Sequence, residues 1–156
     1  MAVTENYAVI LSSEADTLKL GADFASNITA PLIIWLQGDL GTGKTTFTRG
    51  LLNALGHHGA VKSPTYNIVE SYFFQAFSVN HFDLYRFQTP DEWMDAGLDE
   101  LIDTNSISLI EWPQLGKDFV PEPDIILNIK AILDGRQAQL VAVTDHGKQT
   151  LASIIK

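Results

Sequence analysis

No cysteine occurs in the 156-residue sequence, which excludes a disulfide framework and a thiolate metal centre, while sites built on histidine or carboxylate stay open. Positive charge is also scarce. Ten Lys and Arg face nineteen Asp and Glu for a formal net charge of −9, which disfavours an autonomous grip on a phosphate backbone by counterion release. The acid excess reads either as a solvated surface or as a docking face for a basic partner, and sequence does not separate the two. No apolar stretch approaches the roughly 18 residues that a spanning helix needs, and Met1 to Asn6 lack the basic start and apolar run of a signal peptide. No membrane association is expected, and the cytoplasm is the expected compartment. Repeats, low-complexity tracts and linkers rich in Gly, Ser or Pro are missing too, so residues 1–156 are expected to form one domain.

What is present is the composition of an ordinary globular chain, 46% hydrophobic and 19% charged. Ser13-Glu14-Ala15-Asp16 reads as a helix start, and Leu18, Ala22, Ala25 and Ile28 then recur at helical spacing, predicting a helix that ends near Thr29. Leu32 to Leu36 is a short apolar run of the kind that forms a strand buried on both faces. A glycine-rich turn follows, and from Thr45 the residues Phe47, Leu51 and Leu55 repeat at helical spacing until Gly56 supplies a stop. Tyr66 to Phe74 and Val79 to Arg86 read as a hairpin, and Thr89-Pro90-Asp91-Glu92 as a capped helix start running to about Asp103. Ile107 to Trp112 is the next apolar strand. Ile125 to Leu133 and Gln137 to Thr144 flank the turn pair Asp134-Gly135, and Gln149 to Ile155 closes the chain as a helix. The expected fold class is α/β, a single domain with a mixed sheet, parallel at its core and flanked by helices, in which the order strand, glycine-rich turn, helix is the context that a P-loop NTPase domain requires.

The chemistry begins at Gly38-Asp39-Leu40-Gly41-Thr42-Gly43-Lys44-Thr45, which fits the pattern G-x-x-x-x-G-K-[ST] without a mismatch. The glycines allow positive backbone dihedrals and close approach, so that successive N–H groups can ring a phosphate at the positive end of the helix dipole. Lys44 then reaches the β and γ phosphates of ATP. The Thr45 hydroxyl ligates the Mg²⁺ that bridges them, while Thr46 caps or packs. Such a loop also needs an acid at the end of a neighbouring apolar strand. Glu111, closing the run Ile107-Ser108-Leu109-Ile110, supplies one and serves the metal with Thr45.

Three further groups of residues are candidates. His81, Asp83 and Tyr85 alternate, so a strand would project all three from one face while Phe82 and Leu84 enter the core. Asp83 can orient water, bind magnesium through water or anchor a loop, and spacing does not choose among these. Ser63-Pro64-Thr65-Tyr66 lies where related enzymes carry a loop that senses the γ phosphate, although turn chemistry alone explains it equally well. Arg86 adjoins the first group, next to Tyr85, and Trp112 reads as core, gate or contact.

Absences narrow the nucleotide class. The guanine-reading Asn-Lys-x-Asp is missing, Asn80-His81-Phe82-Asp83 only imitating its outline, and no Asp-x-x-Gly sensor occurs, so ATP is favoured over GTP. Only Arg49, Arg86 and Arg136 are present, too few for the arginine-rich lid of a metabolite kinase. An arginine finger contributes about 10³ to 10⁵ in rate, so a chain without an evident one should hydrolyse ATP slowly until a partner completes the site. A small-molecule kinase and a non-hydrolytic scaffold gated by nucleotide are the alternatives.

Four blocks taken together resemble the TsaE (YjeE) family: Gly38 to Thr46, Lys62-Ser63-Pro64-Thr65-Tyr66, His81-Phe82-Asp83-Leu84-Tyr85-Arg86, and Ile110-Glu111-Trp112-Pro113. The resemblance implies an ATPase accessory to threonylcarbamoylation of adenosine 37 in tRNA. It would act with the TsaB–TsaD pair that performs the transfer and touch tRNA only through that complex. It further implies that Lys44 contacts phosphate, Thr45 and Glu111 serve magnesium, Thr65 belongs to a switch-like loop and Asp83 is needed for hydrolysis. The family loop commonly carries Ala where this chain has Thr42, a free position of the pattern.

Overall fold

The computed structural model describes residues 5–39 and 41–155. Leu40, assigned to the loop by the sequence pattern, lies outside the described residues, as do 1–4 at the chain start and 156 at its end. Seven strands form one sheet: β1 (Glu5–Leu11), β2 (Leu32–Gln37), β3 (Val69–Phe73), β4 (Ser78–Asp83), β5 (Ser106–Glu111), β6 (Ile125–Ile132) and β7 (Gly135–Ala142), in the spatial order β1-β7-β6-β2-β5-β4-β3. The inner strands β6, β2, β5 and β4 run parallel, whereas β7, β1 and β3 join antiparallel at the flanks. This is the mixed sheet with a parallel core that the alternation of apolar runs and helical segments predicts.

Three helices, α1 (Glu14–Ala25), α2 (Lys44–Ala54) and α4 (Asp145–Ile154), cover one face. Leu20, Phe24, Phe47, Leu51 and Leu151 from these helices meet Leu32, Ile34, Leu36, Ile107, Leu109 and Leu127 of the sheet in the larger core. α1 and α2 touch backbone to backbone, because a Cβ at Gly21 would overlap the Phe47 carbonyl and one at Gly50 the Leu18 carbonyl. On the other face a smaller core gathers Phe82, Leu84, Phe87, Trp93, Leu98, Ile110 and Val120 under the short helix α3 (Glu92–Asp95) and 3₁₀ turns. β2 and β5 are therefore buried from both sides, the condition their continuous apolar sequences require.

Several boundaries differ from the sequence reading for local reasons. α1 stops at Ala25, where the Ser26 and Asn27 amides turn back onto Ala22 and Phe24 carbonyls. The strand expected from Tyr66 starts only at Val69, since the Ile68 amide closes a turn onto Pro64 and Ile68 takes a φ of 70°. β4 ends at Asp83 because its carboxylate accepts the Tyr85 amide and turns the chain, so Tyr85 leaves the face it would otherwise share with His81 and Asp83. The single helix expected to Asp103 is broken at Gly97, which sits at a φ of 70°. α4 starts earlier than expected, capped by Thr144, whose hydroxyl accepts the Gly147 amide. β1 escaped the sequence reading; its half-buried Tyr7 and Val9 and buried Leu11 alternate with exposed Asn6, Ala8 and Ile10.

Candidate functional site

The glycine-rich loop joins the carboxyl end of β2 to the first residue of α2, as required if ligands sit beyond the carboxyl ends of parallel strands. Gly38, Gly41 and Gly43 take φ values of 141°, 79° and 114°. At Gly38 space matters as well as conformation, because a Cβ there would overlap the Ile129 carbonyl of β6. Thr42 braces the loop through its hydroxyl and amide, both bonded to the Asp39 carbonyl. Gly43 caps α2 without any side-chain hydrogen bond, and among the described residues no side chain is bonded to the amides of the first helical turn. That is a cradle for an anion, built where the helix dipole is positive.

Parallel pairing brings the acids to this loop. Leu36 of β2 stands opposite Glu111 of β5, and Glu111 stands opposite Asp83 of β4. Lys44, 6% exposed, bonds the Gly38 carbonyl at 2.7 Å and lies 3.4 Å from Glu111 Oε1, with its ammonium 4.8 Å from the Trp112 ring centroid. The other oxygen of Glu111 meets Nε2 of the fully buried His81 at 2.5 Å. Burial works to raise the Glu111 carboxyl, but the His81 hydrogen bond and the fields of His81 and Lys44 outweigh it, and the acid is held below its ordinary value. An ionised carboxylate can only accept, so the geometry puts the proton on His81 Nε2.

Asp83 is 5% exposed and is bonded at both oxygens, to the Tyr85 amide at 2.9 Å and the Thr65 hydroxyl at 3.1 Å. Burial pushes its carboxyl up and the Glu111 charge adds to that, outweighing the lowering effect of the two hydrogen bonds. Thr65 also meets the Ser63 hydroxyl at 2.7 Å, while Pro64 is buried behind them. The candidates thus converge on one cavity of about 210 Å³, lined by Gly41, Gly43, Lys44, Thr45, Thr46, Ser63, Thr65, Asp83 and Glu111. Of the remaining candidates, Gly38, Asp39 and Trp112 line a separate cavity that also borders Lys44. Trp112, at a φ of 57°, stacks against the half-exposed Tyr85 with ring centroids 5.3 Å apart, and Arg86 lies over the exposed ring of Tyr66 at 4.2 Å.

A second cavity, about 320 Å³, opens on the other side of the loop between Ser12, Ser13, Glu14, Thr17, Gly41, Thr42, Gly43, Thr46, Gly135 and Arg136. The Arg136 guanidinium reaches the Gly41 carbonyl at 3.5 Å. Sequence reasoning missed Ser12 and Arg136 as neighbours of the loop. They meet at one end of the β1–β7 pairing, where Leu11 opposes Arg136, and no local pattern announces such a pairing.

The same segments are matched when the chain is compared with known proteins. A family model described as "Threonylcarbamoyl adenosine biosynthesis protein TsaE" matches residues 11–138. A Haemophilus influenzae protein named tRNA threonylcarbamoyladenosine biosynthesis protein TsaE is 40% identical over 154 residues, which is 96% of this chain and 98% of the relative. A Bacillus subtilis protein of the same name is 38% identical over 112 residues, 71% of this chain and 70% of the relative. The crystal structure of Bacillus subtilis YdiB superposes with a TM-score of 0.79 at 26% identity, covering 99% of this chain and 95% of that one. Among the described residues no helix is long and apolar enough to cross a membrane. The family match runs through the loop, the Thr65 turn and both acid-bearing strands, and the chain belongs to the TsaE family of tRNA threonylcarbamoyladenosine biosynthesis proteins.

Proposed function

We propose that this chain is a magnesium-dependent ATPase of the cytoplasm that supports threonylcarbamoyladenosine formation in tRNA by serving turnover of a TsaB–TsaD transferase. The observation that carries the reading is the single cavity in which Lys44, Thr45, Thr65, Asp83 and Glu111 meet at the uncapped start of α2. The residues fit the ligand chemically. Amides of the first turn and the Lys44 ammonium complement phosphate oxygens, and the adjoining cavity at Ser12, Thr17 and Arg136 has room for the nucleoside. Thr45 and the ionised Glu111 would hold the metal or its waters. No group of three or more His, Asp or Glu side chains is arranged for a metal ion among the described residues, so phosphate oxygens would complete its shell. Held by Thr45 and Glu111, magnesium would supply positive charge against the charge that develops on the phosphate oxygens.

For the chain's own part, Lys44 leaves the Gly38 carbonyl for phosphate oxygen, and Asp83, raised by its burial, is placed to hold an attacking water or its proton. Thr65 exchanges its bond to Asp83 for the γ-phosphate side of the cavity, which makes the 63–66 loop the element that senses nucleotide state. All three arginines are engaged away from the space between Lys44 and Asp83: Arg49 pairs with Glu14, Arg86 stacks on Tyr66 and Arg136 reaches Gly41. Slow hydrolysis alone and acceleration in the partner complex follow. ATPase activity measured with and without TsaB, TsaD and tRNA tests this, and absence of stimulation where the complex demonstrably forms counts against it. Full complementation by Glu111→Ala with hydrolysis abolished favours the nucleotide-gated scaffold instead, and γ-phosphate labelling of a small acceptor favours the kinase.

A further inference from the structure

His81 stands behind Glu111, outside the lining of the cavity, and the chemistry above gives it no task. Its imidazole is fully buried on β4, on the side that carries Val79 and Asp83 and opposite Leu109 of β5. A histidine kept there for packing alone is a poor choice. Among the described residues its buried Nδ1 has no hydrogen-bond partner, and leucine would fill the space without that orphan. What the imidazole supplies and a hydrocarbon does not is the contact between Nε2 and Glu111 Oε2.

That contact divides Glu111 between two neighbours. Oε2 is taken by His81, while Oε1 faces the Lys44 ammonium at 3.4 Å, longer than the ~2.7–2.9 Å of a charge-assisted hydrogen bond. Lys44 makes its short bond, 2.7 Å, to the Gly38 carbonyl. Without the imidazole, Glu111 can turn both oxygens onto the ammonium, and the resulting buried pair withholds Lys44 from phosphate and the carboxylate from a metal. We propose that His81 is a positioning residue that fixes Glu111 with Oε1 toward the cavity and keeps the Lys44–Glu111 pair loose enough for Lys44 to leave. The inference rests on the reading of Glu111 as the acid that serves magnesium.

The test follows binding and not turnover. Calorimetry compares ATP affinity with magnesium and with the metal chelated, for wild type, His81→Leu, His81→Gln, and His81→Leu combined with Glu111→Gln. His81→Leu keeps the volume and removes the donor, and should lose about 10- to 100-fold of the magnesium-dependent affinity, the range for groups that orient metal ligands. The His81→Gln amide can reach the same carboxylate and should recover most of the loss, and His81→Leu should add nothing once Glu111 is glutamine. Magnesium-dependent affinity in His81→Leu equal to wild type, or a loss that His81→Gln shares in full, overturns the inference and leaves the nucleotide reading intact. A wild type that gains nothing from magnesium sinks that reading first. Should the leucine variant not fold, nitrogen-15 NMR of wild type decides: the Nε2 proton held by Glu111 appears as a slowly exchanging imidazole resonance lost in Glu111→Ala, and its absence from wild type overturns the inference.

Discussion

Replacing Lys44 with methionine removes the ammonium while keeping most of the side-chain volume, and the structure sets two magnitudes for the result. Without ligand, the substitution strips the Gly38 carbonyl of its 2.7 Å donor and leaves Glu111 with His81 alone. An uncompensated buried charge costs about 3–5 kcal/mol, but the retained His81 bond brings the expectation down to about 1–3 kcal/mol, the cost of one unsatisfied buried acceptor. At about 2–4 °C per kcal/mol in a domain of this size, the ligand-free Tm should fall by several degrees. With ATP and magnesium at about 100 times Kd, wild type should gain about 2.7 kcal/mol, a rise of about 5–11 °C, and Lys44→Met should gain almost none. Thermal melting with ATP, ADP and GTP, each with magnesium, measures both effects. A Lys44→Met protein that keeps the full ATP-dependent rise refutes the assignment of Lys44 to phosphate. A ligand-free Tm unchanged from wild type refutes the argument from its buried bonds.

The two buried acids predict opposite pH slopes. Asp83 titrates above its ordinary value in the fold, so its contribution to stability is present below about pH 4 and is lost as pH rises through the folded value; urea unfolding should show Asp83→Asn gaining on wild type between about pH 4 and pH 7. Glu111 titrates below its ordinary value, its contribution is present above about pH 4.5 and is lost as pH falls through the folded value, so Glu111→Gln should fall behind wild type as pH rises towards about 4.5 and keep a constant deficit above it. Thr65→Val removes the hydroxyl shared with Ser63 and Asp83 but keeps the branched shape; the expected outcome in steady-state kinetics is a lower kcat with KM for ATP changed little. Gly50→Ala gains about 1 kcal/mol of helix propensity but drives a methyl into the Leu18 carbonyl, so chemical denaturation should show a net loss of about 1–2 kcal/mol.

The parts of the fold legible in the sequence are those with local causes. The apolar run at Leu32 dictates a doubly buried strand, Ser13 and Gly56 punctuate helices at the expected places, and the hairpin turn expected at Asp134-Gly135 falls one residue earlier, on Leu133 and Asp134, because Gly135 already pairs with Ile132. The glycine pattern locates the loop, and the acid closing β5 follows from parallel pairing with β2. Illegible parts depend on partners distant in sequence. β1 is a weakly amphipathic edge whose register is set only by β7, and the neighbours of Gly41 at Ser12 and Arg136 meet through that pairing. Tyr85 was misplaced because the carboxylate of Asp83, read as a functional group, also ends the strand. His81 was visible as one of three alternating polar residues, yet its partner Glu111 lies thirty positions away and only the sheet register joins them.

The contact between Gly21 and Gly50 bears on how the cavity beside Ser12 opens. With backbones in touch, α1 and α2 move as one body, so the wall carrying Ser12 to Thr17 cannot swing away from the wall carrying Gly43 and Thr46. Widening that mouth falls instead to the opposite rim, where the two-residue turn at Leu133 and Asp134 carries Gly135 and Arg136 near the tip of a hairpin. A bulkier residue at position 21 or 50 would act as a wedge, prising the fixed walls apart and loosening the grip on anything seated there even though neither glycine faces it.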